Sequence, residues 1–299
     1  MIFSKPPLSF SEQADLILSR GLIADRDSLI SCLSSVNYYR LSGYLYPYRN
    51  SDDTFRAGTT LDMVLRHYSF DQKLRILVLD AIEIVEVGVR TSVVYHFAHA
   101  NGPFGHVDYV NMRDLSRDGH QKWLEILDEE TNRSTEAFVD HFKNKYGANH
   151  QYLPIWMASE IMTFGALLTM FKGMNNSLRQ KVARDFSMND VVLKSWLIAL
   201  NGARNICAHH GRLWNRELGY KPKIPRGNKY PDWHTPVTIS QNRVFVILTI
   251  LKYLISIISP ECVWSDHVRA LLDEYPDISR VSMGFPHGWE TSPLWEKNN

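Results

Sequence analysis

The 299-residue chain has only three cysteines, Cys32, Cys207 and Cys262, widely separated and without a CxxC pair. That spacing excludes a disulfide scaffold and fits a reducing cytoplasm. Long apolar runs are also missing. The most hydrophobic stretch, VFVILTILKYLISII from Val244 to Ile258, is too short for a bilayer and carries Lys252. The opening MIFSKPPLSFSEQ has neither the charged n-region nor the long apolar region of a secretory signal. The expectation is a soluble, cytoplasmic protein with no membrane partner. Charge of one sign is not in excess either, with 33 Lys+Arg against 32 Asp+Glu. Any surface for an anionic partner must therefore be local. Neither GxxxxGK[ST] nor GxGxxG occurs, so nucleotide hydrolysis and dinucleotide binding have no support. His96 with His99, or Cys207 with His209 and His210, follow no metal-ligand spacing. No metal and no cofactor is implied.

Alternation of apolar and polar residues, the strand signature, is scarce; helical periodicity is what the chain has instead. SFSEQADLILSRG reads as a helix capped by Ser11 and stopped at Gly21, and a second runs from Asp27 to Val36. A long helix is predicted from Thr60 to Ala98, with Leu74, Leu77, Val78, Ala81, Ile82, Val85 and Val89 at 3-4 spacing. Two shorter helices, 119–130 and 134–145, lie in a polar stretch. A strong helix follows over Leu153–Met174, with Pro154 in its first turn. The next runs from Asn189 to His210 and ends at Gly211, after a short one over Ser177–Asp185. Thr238–Ile258 and SDHVRALLDEYP complete the set, and the tail MGFPHGWETSPLW has no regular pattern. The expected fold class is all-α, a helical bundle on about four long helices. The expected organisation is an N-terminal helical subdomain over 1–58, a bundle over 59–261 with a helical insertion at 106–150, and a helix and tail over 262–299.

The unusual feature is NGARNICAHH, Asn201–His210, at the end of a core-building helix. At 100° per residue, Asn201, Arg204, Asn205, Ala208, His209 and Arg212 share an arc of roughly 140°. Trp196, Ala199, Leu200, Ala203 and Ile206 fall on the opposing arc. Arginine grips a phosphate bidentately, histidine exchanges protons near neutral pH, and asparagine can orient either. These types suit phosphodiester chemistry. A solvated face, or a His209 that caps carbonyls at the helix C-terminus, would also produce the pattern.

Arg204-Asn205-Ile206-Cys207-Ala208-His209 resembles the R-x4-6-H motif of HEPN-domain ribonucleases. The longer RNICAHHGRLWNR is similar to Abi-type abortive-infection proteins of the AbiD/AbiF group. NYYRLSGYLYPYR, AIEIVEVGVRT and MTFGALLTMF extend the likeness over most of the chain, with 106–150 the least covered. The resemblance implies a HEPN-like helical bundle and metal-independent RNA cleavage by 2'-OH attack, leaving a 2',3'-cyclic phosphate. Arg204 would stabilise the phosphate, His209 would be the general acid or base, and Asn205 would orient them. It also implies a homodimer, and association with a small non-coding RNA. A non-catalytic protein that holds a structured RNA is the alternative.

Other residues are candidates for supporting roles. Glu86 and Arg90, four apart in the otherwise apolar EIVEVGVR, form either an intrahelical pair or part of a cleft. Glu86 or Glu160 could supply the extra polar group that HEPN proteins often place near the motif, and His210 adjoins His209. Between Gly202 and Pro236 stand seven basic residues, Arg204, Arg212, Arg216, Lys221, Lys223, Arg226 and Lys229, against Glu217 and Asp232. Such a loop suits an RNA backbone, although an ordinary surface loop can look the same. Tyr38, Tyr39, Tyr44, Tyr46 and Tyr48, interleaved with Arg40 and Arg49, could stack RNA bases or belong to a core.

Overall fold

The first helix, α1 (Phe10–Ser19), starts at a capping box in a computed structural model that describes residues 6–296. The Ser9 hydroxyl accepts from the Glu12 amide, and the Glu12 carboxylate accepts from the Ser9 N–H at 2.7 Å. Ser11, the expected cap, lies inside the first turn, because Ser9 is the serine three residues before a glutamate. α1 packs on α2 (Arg26–Val36), which Asp25 caps, and α3 (Tyr38–Leu45) follows. The long α4 (Leu61–Asn101) has 41 residues and so runs about 60 Å. Its predicted apolar positions are buried except Leu77, which is partly exposed.

Two compact units divide the chain, one of residues up to Ile76 with Arg269–Ile278, the other of Leu77–Val268 with the segment from Ser279. In the first unit, Tyr44 is buried, and its hydroxyl donates to Asp71 at 2.6 Å. Arg75 donates to the same carboxylate at 2.5 Å and to the tyrosine oxygen at 3.2 Å. Arg66 and Lys73 pair with Asp277 and Glu274 and fasten the returning segment to α4. Tyr44 thus belongs to a core, whereas Tyr39 and Tyr46 are exposed.

The second unit carries α5 (Arg117–Arg133), α6 (Ala137–Tyr146), α7 (Ile155–Ala158), α8 (Phe164–Gly173), α9 (Asn176–Asp185), α10 (Asp190–Ala208) and α11 (Val244–Ile258). α12 (Trp264–Glu274) begins in it and ends in the first. The helix predicted over Leu153–Met174 is broken. α7 passes into a 3-10 turn at Ser159–Ile161, and α8 restarts behind Thr163, whose side chain accepts from the Ala166 N–H. An N-cap of that kind outcompetes a continuous apolar pattern, since a capped start satisfies N–H groups the pattern ignores. α11 begins at Val244 rather than near Thr238. Arg243 there donates to the Asn215 carbonyl, and the Leu218 N–H donates to the Asn242 carbonyl, so the preceding residues serve the loop. The tail is ordered by aromatic packing: Phe285, Trp289 and Trp295 are buried around Phe245, and the Trp295 indole donates to Thr249 at 3.0 Å.

The fold is all helical. Among the described residues the only β pairings are two isolated bridges, Ile23 with Thr60 and Arg49 with Phe55. Among the described residues no helix is long and apolar enough to cross a membrane.

Candidate functional site

α10 is positioned by its apolar face. Asn189 caps its start, and Trp196, Ala199, Leu200, Ala203 and Cys207 are buried against α8, α9 and α11. Cys207 was not assigned to that face, and Ile206, which was, is only half-buried. The loop that follows folds back along the helix: the Trp196 indole donates to the Lys223 carbonyl at 2.8 Å, and the Lys223 N–H donates to the Ser195 hydroxyl at 2.7 Å.

The helix ends in a Schellman motif. The His210 N–H donates to the Cys207 carbonyl at 3.0 Å, and the Gly211 N–H to the Ile206 carbonyl at 2.8 Å. The left-handed residue is His210, at φ +55°, not the expected Gly211. Gly211 is used for closeness instead, since a Cβ there would lie 3.2 Å from the Ile206 carbonyl oxygen. A left-handed non-glycine costs about 1 kcal/mol, which places a strained histidine beside His209. His209 is the helix C-cap and exposed, as is Asn205 one turn back.

Arg204 is half-buried and acts on Glu86 of α4. Glu86 accepts from the Arg90 guanidinium at 2.5 Å, both side chains being more than four-fifths buried. Burial pushes the Glu86 carboxyl above the usual range, and the Arg90 and Arg204 charges offset only part of that rise. Arg90 also donates to the Met162 carbonyl at 3.2 Å, a group freed by the break before α8. Its Nε is buried without a hydrogen-bond partner among the described residues. Asn201 lies on the same side of α10, its Oδ1 3.9 Å from where a Cβ of Gly165 would stand. The Arg90 and Arg204 charges both act on the Glu86 carboxylate, and the exposed Glu83 adds a second negative charge. A guanidinium such as that of Arg204 can grip a phosphate bidentately.

The remaining candidates are placed as follows. Glu160 is exposed in the 3-10 turn after α7, and lines a groove with Arg90. Arg212 is half-buried, whereas Arg216, Lys221, Lys223, Arg226 and Lys229 are exposed along the loop after α10. Arg40 belongs to the first unit. Among the described residues no group of three or more His, Cys, Asp or Glu is arranged to hold a metal ion.

One polar cluster was not read from the sequence. The Ser92 hydroxyl donates to Asp185 at 2.6 Å, and His96 Nε2 lies 2.9 Å from the same oxygen. Ser92 and His96 are one turn apart on α4, but the acid comes from the end of α9, so sequence spacing could supply only half of it. Because both groups contact the carboxylate rather than each other, no Ser–His relay forms.

No curated protein and no solved structure matches the chain. The profile of Abi-like proteins, a family whose name refers to abortive infection of phage-infected cells, matches residues 31–215. That span includes α4 through α10 and the whole Arg204–His209 segment, and it exceeds half of the chain. The chain belongs to the Abi-like protein family.

Proposed function

We propose that the protein is a metal-independent endoribonuclease of the HEPN type that acts in abortive infection. The observation carrying this reading is the charge arrangement around Arg204: a half-buried guanidinium whose charge acts on Glu86 of the mostly buried Glu86–Arg90 pair, with Asn205 and His209 exposed on the same helix end. Arg204 binds a phosphodiester and stabilises the charge that develops on its oxygens. An imidazole takes the proton of the adjacent ribose 2'-OH, whose oxygen attacks phosphorus. The bond to the 5'-oxygen breaks, that oxygen collects a proton, and the products are a 2',3'-cyclic phosphate and a 5'-hydroxyl. Attack and departure lie on opposite sides of the phosphate, so two proton-transfer groups are needed. A second copy, with its His209 facing the same cleft across a two-fold axis, supplies the other. The basic loop after α10 gives the RNA backbone a path, and a small structured RNA is the proposed regulator.

Expression of the chain should slow bacterial growth, and His209→Ala should relieve the effect. In vitro, Arg204→Ala and His209→Ala should each lower cleavage by about 10²–10⁴, with RNA still bound by the His209 variant. A wild-type protein that binds RNA, loses it in Arg204→Ala, and never cuts would replace this reading with that of a non-catalytic RNA holder.

A further inference from the structure

Next to the Glu86–Arg90 pair, α4 and the Trp156–Glu160 segment enclose a groove of about 360 Å³, at the low end of small-ligand sites. Two large aromatic side chains line it. Trp156 is 49% exposed and Tyr95 57%, although these are among the side chains that gain most from burial. Scattered exposed aromatics need no explanation, but here two of them line one groove. His99 joins them, with its ring 4.1 Å from that of Tyr95. Its Nδ1 lies 2.8 Å from the Tyr95 carbonyl. A carbonyl only accepts, so Nδ1 carries the proton and Nε2 is an acceptor when the ring is neutral.

The lining also carries charge. Arg90, tied to Glu86, is one member and Glu160 is another. Arg90 donates to the Met162 carbonyl, two residues beyond Glu160, so the two charges belong to the same part of the groove. The Glu160 carboxylate repels a phosphate but accepts N–H groups. Aromatic rings together with an arginine and a carboxylate acceptor match an unpaired base and its backbone, because unstacked bases bind on aromatic planes and are read along their edges. Among the four bases, guanine alone offers two adjacent N–H donors, N1 and N2, to a single carboxylate.

We infer that this groove binds one unpaired nucleobase of the RNA, stacked on its exposed aromatic side chains, with guanine preferred through Glu160. The inference rests on the ribonuclease reading above, since it supplies the specificity site of the same enzyme.

The test uses the full chain with His209→Ala, so that RNA is not consumed, and short oligouridines carrying a single guanine or adenine. Fluorescence anisotropy gives affinities. Trp156→Ala and Tyr95→Ala should each weaken binding about tenfold, with Trp156→Phe retaining most of it. Glu160→Gln should bring guanine and adenine to near parity, from a preference of roughly tenfold. Both aromatic groups are exposed, so the variants should melt as the parent does. Parental affinity in both alanine variants would overturn the groove assignment and leave the ribonuclease reading intact. Absence of any RNA binding by the parent would overturn the ribonuclease reading itself.

Discussion

α4 carries two acid–arginine pairs of identical local form, Asp71–Arg75 in the first unit and Glu86–Arg90 in the second. Each is spaced four residues apart, and each closes at 2.5 Å. Their surroundings differ. Asp71 is fully buried, Arg75 nearly so, and Tyr44 donates to the carboxylate as a third member. The Tyr44 hydroxyl is held well above its ordinary pKa by burial and by the Asp71 charge. Every group there has a partner inside the cluster, so nothing is left to offer a ligand. Glu86 and Arg90 keep 19% and 15% of their side chains exposed, the Arg204 charge also acts on Glu86, and Arg90 Nε has no hydrogen-bond partner among the described residues. One pair is closed on itself; the other keeps some exposure and feels a further positive charge. The same i,i+4 signature thus says nothing about role until the third group is known.

Substitution separates the two most sharply through activity. His209→Ala or Arg204→Ala should lower RNA cleavage by about 10²–10⁴ and leave the thermal melt unchanged, a loss that no variant of the Asp71 cluster should reproduce per folded molecule. Next in size, Asp71→Ala strands Arg75 in the core and should cost about 3–5 kcal/mol, read as a lower urea midpoint.

His106 is the limiting case of a buried polar group. Neither of its ring nitrogens has a hydrogen-bond partner among the described residues, and burial, aided by the His120 charge, depresses its pKa to about 4. A depressed histidine contributes stability that is full above its unfolded pKa of about 6.5 and is lost as pH falls towards 4. The loss should be about 3 kcal/mol, and acid titration of His106→Leu should show a correspondingly flatter curve.

Glu86→Gln should have the smallest effect on stability, about 1 kcal/mol, while reducing cleavage about tenfold. Its pH signature has the opposite sense to that of His106. A raised carboxyl contributes fully below its unfolded pKa of about 4.3 and loses that contribution as pH rises through the folded value; the glutamine variant should lack this slope. A stability loss as large as that of Asp71→Ala would erase the distinction between the two pairs.

Much of this was legible in the sequence, because helix periodicity and the placement of charge within apolar runs are local signals. The long α4, the apolar face of α10 and the polar Arg204–His209 edge all followed from spacing. Glu86 and Arg90 stood out because charge inside EIVEVGVR demands a partner. What escaped depends on competition between local choices or on distant residues. Thr163 interrupts an apolar run by capping, and thereby frees the Met162 carbonyl for Arg90. His210 takes the left-handed position beside a glycine that could have taken it, since Gly211 is held by its close approach to Ile206. Tyr44 reads as one of several tyrosines until Asp71 and Arg75, 27 and 31 residues on, close around it. Trp156 and Tyr95 share a groove only through the fold.

The central claim is that the Arg204–His209 edge cuts RNA by transferring the phosphate to the neighbouring 2'-oxygen. The most direct measurement is the chemistry of the cut ends, determined by mass spectrometry after incubating RNA with the wild-type protein in excess EDTA. The expected products are a 2',3'-cyclic phosphate, or the 2'- or 3'-phosphate from its hydrolysis, opposite a 5'-hydroxyl. A strict requirement for Mg²⁺, with 5'-phosphate and 3'-hydroxyl ends, would contradict it.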